Sequence, residues 1–333
     1  MYSYSHLNSG ELGEIKTICD KWLWRKNDEI VNKNMDTLFN YCKLLNFHSI
    51  INAYKTRLEK IPWKFTKSEE VSGSICFFGG VVTSLLNYGH IKEIEGLFTF
   101  AVCYMLIDHF LDDEKNTKEE KDKCIKEIYE FISTGIKNSN RLVMAIGDQY
   151  LELIHRVPRC KEFFLKLFQS ELKGLKVQNN QNLTREDYLR AAEEKGGYTS
   201  LCIASIIGLE INQDNYGLGS LIQTPCDDLL DIKDDETSGI YTLVRYDIDH
   251  GNLDRYLYES FKKIDNLGPV YNFFKVILMS GIILGIHDNP GCISESLNEV
   301  IKTYDVYTGT SKEKLIEWFY NKLSEYCQES DGK

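Results

Sequence analysis

Aspartates at two distant places in the chain have the spacing that could do chemistry. Asp108 and Asp112, within Ile107-Asp108-His109-Phe110-Leu111-Asp112-Asp113, are four residues apart. On a helix that spacing puts both carboxylates on one face, with roughly 5–6 Å between their β-carbons. The run before them, through Phe98, Phe100, Tyr104 and Leu106, is strongly apolar. Two carboxylates emerging from a buried helix repel each other and resist leaving water. A cation between them relieves both costs, as does a helix that has just reached solvent. Taken alone, the pair fits a solvated helix end as well as it fits a metal site.

The second cluster is Asp227-Asp228-Leu229-Leu230-Asp231-Ile232-Lys233-Asp234-Asp235. Asp227, Asp231 and Asp235 fall at i, i+4 and i+8, a single helical stripe roughly 12 Å long at about 1.5 Å rise per residue. Three acids in line cost helix stability, and an ordinary surface would alternate signs at this spacing. Leu229, Leu230 and Ile232 are expected to bury the other side, leaving the acids at the mouth of a cavity. Pro225 is expected in the first turn of this helix. The bland alternative is an acidic solvent face.

Together the clusters say more than either alone. Hard carboxylate oxygens suit Mg²⁺, which keeps waters and shares substrate phosphates. Acid patches on two helices, closing through Mg²⁺ on a diphosphate, would stabilise departing pyrophosphate and make C–O cleavage feasible. The expectation is that the two patches converge on one cavity.

The elements that must position these acids read as helices. Only five prolines occur, and long stretches carry apolar residues at helical spacing. Ile94, Leu97, Phe98, Ala101, Met105 and Phe110 predict a helix running into Asp108. Phe163, Leu167, Leu172 and Leu175 predict another. Thr184 followed by Arg-Glu-Asp predicts a third, with Thr184 as its N-cap and Asp187 at the third helical position. Residues 113–122, 177–183 and 234–240 read as polar loops. Val-Val-Thr at 81–83 and Tyr-Thr-Leu-Val at 241–244 are too short to build a sheet. No internal repeat or Pro/Gly/Ser linker divides the chain, so one all-α domain over 1–333 is the simplest organisation.

Composition bounds the partners. The balance of 43% hydrophobic and 27% charged residues is that of a globular protein. A formal net charge of −11 repels nucleic acid and anionic membrane surfaces. Ten scattered cysteines without a CxxC pair read as reduced core thiols, and a cytoplasmic location is expected. The first residues, Met-Tyr-Ser-Tyr-Ser-His, lack the basic and apolar regions of a signal peptide. No uncharged stretch reaches transmembrane length.

Asp108-His-Phe-Leu-Asp112 resembles the aspartate-rich motif of class I terpene synthases, and Asp227 to Asp235 stands where that family carries its Asn/Asp-x-x-x-Ser-x-x-x-Glu triad. Gly239-Ile-Tyr-Thr-Leu-Val244 is similar to the stretch after that triad. Thr184-Arg-Glu-Asp-Tyr188-Leu-Arg190…Lys195-Gly196-Gly197 is similar to the lead into the family's broken, diphosphate-sensing helix. The likeness spans roughly residues 70–310. It implies a class I terpenoid synthase-like helical bundle around a central cavity. It also implies three Mg²⁺ ions, with Mn²⁺ as a substitute, an allylic isoprenoid diphosphate as substrate (farnesyl diphosphate first), and a homodimer as an allowed state.

The chain departs from the pattern in informative ways. Ile107 replaces the first Asp of the usual pair. Asp231 stands in place of the hydroxyl residue. Asp227-Asp228-Leu-Leu-Asp231 with Lys195-Gly-Gly also resembles trans-isoprenyl diphosphate synthases, so chain elongation stays open. Those enzymes usually carry a basic Gly-Gly-Lys-Arg segment and arginines after the first motif. Here Gly79-Gly80 is followed by Val-Val, and Asp113 by Glu114-Lys115, which favours ionisation or cyclisation. Glu193 replaces the expected sensor arginine, with Lys195 or Arg190 as substitutes. Lys302 and Tyr304 are the nearest matches to a C-terminal Arg-Tyr pair.

Other residues carry both a functional and an ordinary reading. The Gly196-Gly197 pair would let a helix break so that Lys195 and backbone groups reach phosphate, or it is a plain turn. Lys233 and Arg245 would pair with diphosphate or form local salt bridges. Phe77, Phe100, Tyr104 and Tyr198 would line a pocket and stabilise a carbocation, or pack in the core. A helical protein that binds prenyl diphosphates without turnover is a third reading.

Overall fold

In the computed structural model of the chain, the structure describes residues 6–23, 54–59, 65 and 67–304, apart from positions 114, 138, 179 and 181, and without the side chains at 67–72, 74, 75 and 112. Every element among them is helical. Two compact units interleave along the sequence. A terminal unit comprises Met1–His48, Asn180–Gly196 and Ser220–Lys333, and a middle unit comprises Ser49–Asn179 and Gly197–Gly219. Asp108 and Asp112 belong to the middle unit, and Asp227, Asp231 and Asp235 to the terminal one.

The middle unit is built on α2 (Lys67–Tyr88), α3 (Ile94–Asp112), α4 (Lys118–Thr134), α5 (Arg141–Arg156) and α6 (Lys161–Gln178). α2 packs on α3, α3 on α5, and α4 on both α5 and α6. α3 is the helix expected from the apolar spacing. Leu97, Phe100, Ala101, Met105 and Ile107 are all buried along it, and burial fades to half at Asp108. The Val-Val-Thr segment at 81–83 lies inside α2. The expected 113–122 loop is shorter than its composition suggests, because Thr117 and Glu120 form a reciprocal capping box that starts α4 at Lys118.

α7 (Arg185–Ile207) begins as expected. The Asp187 amide donates to the Thr184 hydroxyl at 3.3 Å, and the Thr184 amide donates to the Asp187 carboxylate at 3.1 Å. It does not break at the glycine pair, which lies in mid-helix and has no positive φ. Gly197 answers a packing need instead, since a β-carbon there would run into the Tyr216 ring. α8 (Gln213–Leu221) leads into a π-helical turn, Ile222–Asp227, followed by the single turn α9 (Asp228–Leu230) and by α10 (Ile232–Ser238).

The terminal unit is completed by α1 (Ser9–Trp22), α11 (Leu243–Asp249), α12 (Leu253–Asn266), α13 (Asn272–Asp288) and α14 (Glu295–Ile301). Glu11 pairs with Arg255, Tyr258 donates to Glu14, and Lys21 pairs with Asp265, each across a separation of 244 residues. A constant offset means that α1 and α12 run parallel, locked in one register.

Two helical segments, Ile94–Leu111 and Pro269–Asp288, are long and apolar enough to cross a membrane by length and composition. Most of each is buried, 61% and 78%. Eight cysteines among the described residues are free thiols, six of them buried. Cys42 and Cys327 lie outside the described residues.

Candidate functional site

The second acidic segment is not the single straight helix its spacing suggests. Pro225 lies inside the π turn rather than in a first helical turn. It has no N–H to donate, and a local π geometry is one way for a helix to accommodate that. The chain then departs from helical geometry at Asp231, whose φ of −100° and ψ of 8° fall in the sparsely used bridge region. The acids nevertheless stay in file. The Asp231 amide donates to the Asp227 carbonyl at 3.0 Å, and the Asp235 amide donates to the Asp231 carbonyl at 2.8 Å. Side chains one hydrogen-bonded turn apart share a face, and all three are half-buried. Their neighbour Asp234 is exposed.

Asp228, which the stripe left out, is the buried acid of the segment, 8% exposed. Burial pushes its carboxyl well above the usual range. The charges of Asp235 and Asp227 add to that, and Lys195 pulls the other way. Lys195 is close enough for its charge to act on the Asp228 carboxyl. The segment is seated by a close approach between backbones. A β-carbon on Gly285 of α13 would stand 2.8–3.1 Å from the Leu229 β-carbon, carbonyl carbon and oxygen.

Asp235 also lines a cleft of about 380 Å³ with Glu236, Gly239, Tyr241, Arg245 and Asp249. The expected 234–240 loop is mostly α10, ended by Gly239 at φ 68°. Arg245 points into charge already present. It pairs with Glu236 at 3.1 Å and with Asp249 at 3.3 Å. Tyr241 donates to Asp249 at 2.8 Å.

Other expected ligands sit elsewhere. Lys233 donates from Nζ to the Asp288 carbonyl at 3.0 Å, closing the C-terminal end of α13, where a cation is favoured. Arg190 is exposed and pairs with Glu186 one turn back at 3.7 Å. Tyr304 is 1% exposed, with its hydroxyl 2.7 Å from the Asp20 carboxylate and 3.0 Å from the Lys16 carbonyl, so it anchors α1. Lys302 pairs with Glu299.

In the middle unit, Asp108 lies half-buried near the end of α3, and α3 reaches Asp112, whose side chain is outside the described residues. Burial first, and the Asp108 charge second, push the Cys76 thiol up to about 12. Phe77 packs in an aromatic cluster with Tyr54 at 5.0 Å and Phe98 at 6.4 Å. Phe100 stacks on Phe164 at 5.8 Å and on Tyr104 at 5.8 Å. Both phenylalanines are 1% exposed, which is core packing. Tyr104 and Tyr198 are half-buried, and Tyr198 meets Tyr216 edge-on at 5.7 Å.

Among the described residues, no three His, Cys, Asp or Glu side chains converge as a ready-made metal cage. All-oxygen donors on a stripe fit Mg²⁺, which is usually held by one or two carboxylates together with substrate phosphate. Burial does most to raise the Asp228 carboxyl, and the Asp235 and Asp227 charges that add to it are what such an ion would offset.

No family model matches the chain, and no curated protein matches it. A solved structure that it resembles is the geranylgeranyl pyrophosphate synthetase of Pyrococcus horikoshii Ot3. The identity is 14%, over 88% of this chain and 99% of that one, with a TM-score of 0.33. A likeness at that score carries no argument about fold or chemistry.

Proposed function

We propose that the chain is a Mg²⁺-dependent terpene synthase that ionises an allylic isoprenoid diphosphate, farnesyl diphosphate first, and releases pyrophosphate. The observation that carries this reading is the acidic segment. It keeps Asp227, Asp231 and Asp235 in file across a π turn and a helix break, with Asp228 turned inward beside them. Three half-buried acids in file beside a buried fourth concentrate negative charge that a divalent cation would offset.

In this reading Asp227, Asp231 and Asp235 would hold Mg²⁺, and Asp108 and Asp112 serve the same reaction. Bound Mg²⁺ supplies neutralisation of the leaving diphosphate charge. Lys195 adds a cation beside the acids. Lys233, Arg190, Arg245 and Tyr304 each have a partner within the terminal unit and are not needed as ligands. Tyr104 and Tyr198 remain candidates for contact with the hydrocarbon.

A second reading, prenyl chain elongation, is favoured by Asp227-Asp228-Leu-Leu-Asp231, with an acid where a cyclase-type triad has a hydroxyl. Incubation of the chain with geranyl, farnesyl and geranylgeranyl diphosphates and Mg²⁺, with and without isopentenyl diphosphate, decides between them. A hydrocarbon or terpene alcohol formed without isopentenyl diphosphate supports the synthase. A longer diphosphate formed only with it supports elongation. Protection against unfolding by a diphosphate, without pyrophosphate release, supports a binding protein.

A further inference from the structure

The terminal unit contains an ion pair that is enclosed far more than a surface bridge. Asp247 on α11 is fully buried, and both its oxygens accept from Arg185, from Nε at 2.7 Å and from Nη2 at 2.7 Å. A guanidinium fork on a carboxylate fixes a plane as well as a distance. Arg185 is the first residue of α7. Its guanidinium also lies over the Tyr256 ring, 5.5 Å from the centroid. Both elements that this one side chain holds border the acidic segment. α11 packs on the π turn and on the turn of Asp228. Tyr256, buried on α12, lies near enough to Asp228, Ser260 and Thr224 of the π turn for its phenol to be influenced by each.

Stability alone does not explain such a pair. Asp247 is wholly out of water while the Arg185 side chain stays 35% exposed, and burying the carboxylate offsets much of the attraction, so apolar side chains would hold the helices as well. What the fork adds is orientation. We infer that Arg185 and Asp247 are positioning residues, whose bidentate pair fixes α11 and Tyr256 against the π turn and thereby aims the carboxylates of Asp227, Asp231 and Asp235 at a Mg²⁺-bound diphosphate. The inference rests on the proposed function for the identity of that ligand. Groups that orient metal-binding carboxylates typically change metal affinity 10–100-fold when removed.

The test is calorimetric titration of Mg²⁺ with inorganic pyrophosphate into the full chain, beside thermal unfolding. Arg185→Lys keeps the charge and loses the fork. Asp247→Asn keeps one acceptor oxygen. Tyr258→Phe is the control, because it removes the contact to Glu14 on the α1 side of α12. The expected result is affinity weakened about tenfold or more in Arg185→Lys and Asp247→Asn, and unchanged in Tyr258→Phe at a similar loss of melting temperature. Affinity within about twofold of wild type in the first two folded variants overturns the inference while leaving the function standing. An equal loss in Tyr258→Phe overturns it too, because the effect then follows stability. If neither Arg185→Lys nor Asp247→Asn folds, the pair is structural and the inference falls. A wild-type chain that binds no Mg²⁺-pyrophosphate overturns both this inference and the function on which it rests.

Discussion

The amide of Asp231 donates to the carbonyl of Asp227 at 3.0 Å, and that bond carries the acidic file across the point where the helix loses its regular geometry. A residue in the bridge region is held there by what surrounds it. Here the surroundings are the π turn on one side and α13 on the other, and both can be perturbed.

Gly285→Ala is expected to cost about 1–3 kcal/mol, because the new β-carbon meets Leu229 backbone atoms that have no rotamer to escape into. The strain falls two residues from both Asp227 and Asp231, so Mg²⁺-dependent turnover is expected to fall with it. Gly281→Ala meets the end of the Cys226 side chain instead, which can swing away. Denaturant unfolding of the two variants side by side checks the difference, and equal costs would refute it.

Tyr304→Phe separates an anchor from a ligand. Loss of the hydroxyl is expected to remove about 1–2 kcal/mol of stability, through its contacts with Asp20 and the Lys16 carbonyl. KM for the diphosphate substrate is expected to be unchanged. A raised KM with undiminished stability would return Tyr304 to the substrate site.

The buried thiols predict an alkaline limit. Burial pushes Cys76, Cys124, Cys160 and Cys292 up to about 12. An unfolded thiol ionises near its ordinary value of about 8.5. Between those values the native state holds protons that the unfolded state has released, so stability is full below the unfolded value and falls as pH rises toward 12. Each thiol contributes a slope of up to about 1.4 kcal/mol per pH unit. Urea unfolding at pH 8, 9 and 10 measures it, and Cys124→Ala is expected to make the slope shallower. The same thiols are expected to resist alkylation until the chain unfolds.

Local signals are legible in the sequence, and distant partners are not. The apolar spacing of Ile94 to Phe110 and the Thr184–Asp187 cap each appear where periodicity and capping chemistry put them, because a few adjacent residues decide both. The π turn was not legible. A proline before five aspartates reads equally as a helix start, and only packing of α13 and α11 against Ile222–Asp227 selects the wider turn. Gly196-Gly197 read as a hinge because the reason for Gly197 is the ring of Tyr216, which no local pattern announces. Lys233 and Tyr304 looked like diphosphate ligands by type, yet their partners lie 55 and 284 residues away. Asp228 falls outside the i, i+4, i+8 file, so spacing alone gives it no role.

Pyrophosphate release from farnesyl diphosphate by the wild type, Asp231→Asn and Asp108→Asn, with Mg²⁺ and with a chelator, tests the central claim most directly. Wild type is expected to release pyrophosphate only with Mg²⁺, and each variant to lose about 100-fold or more in rate while its unfolding transition stays in place. Undiminished release in either folded variant, or release by wild type that the chelator leaves untouched, would contradict the assignment of these acids to metal-assisted ionisation.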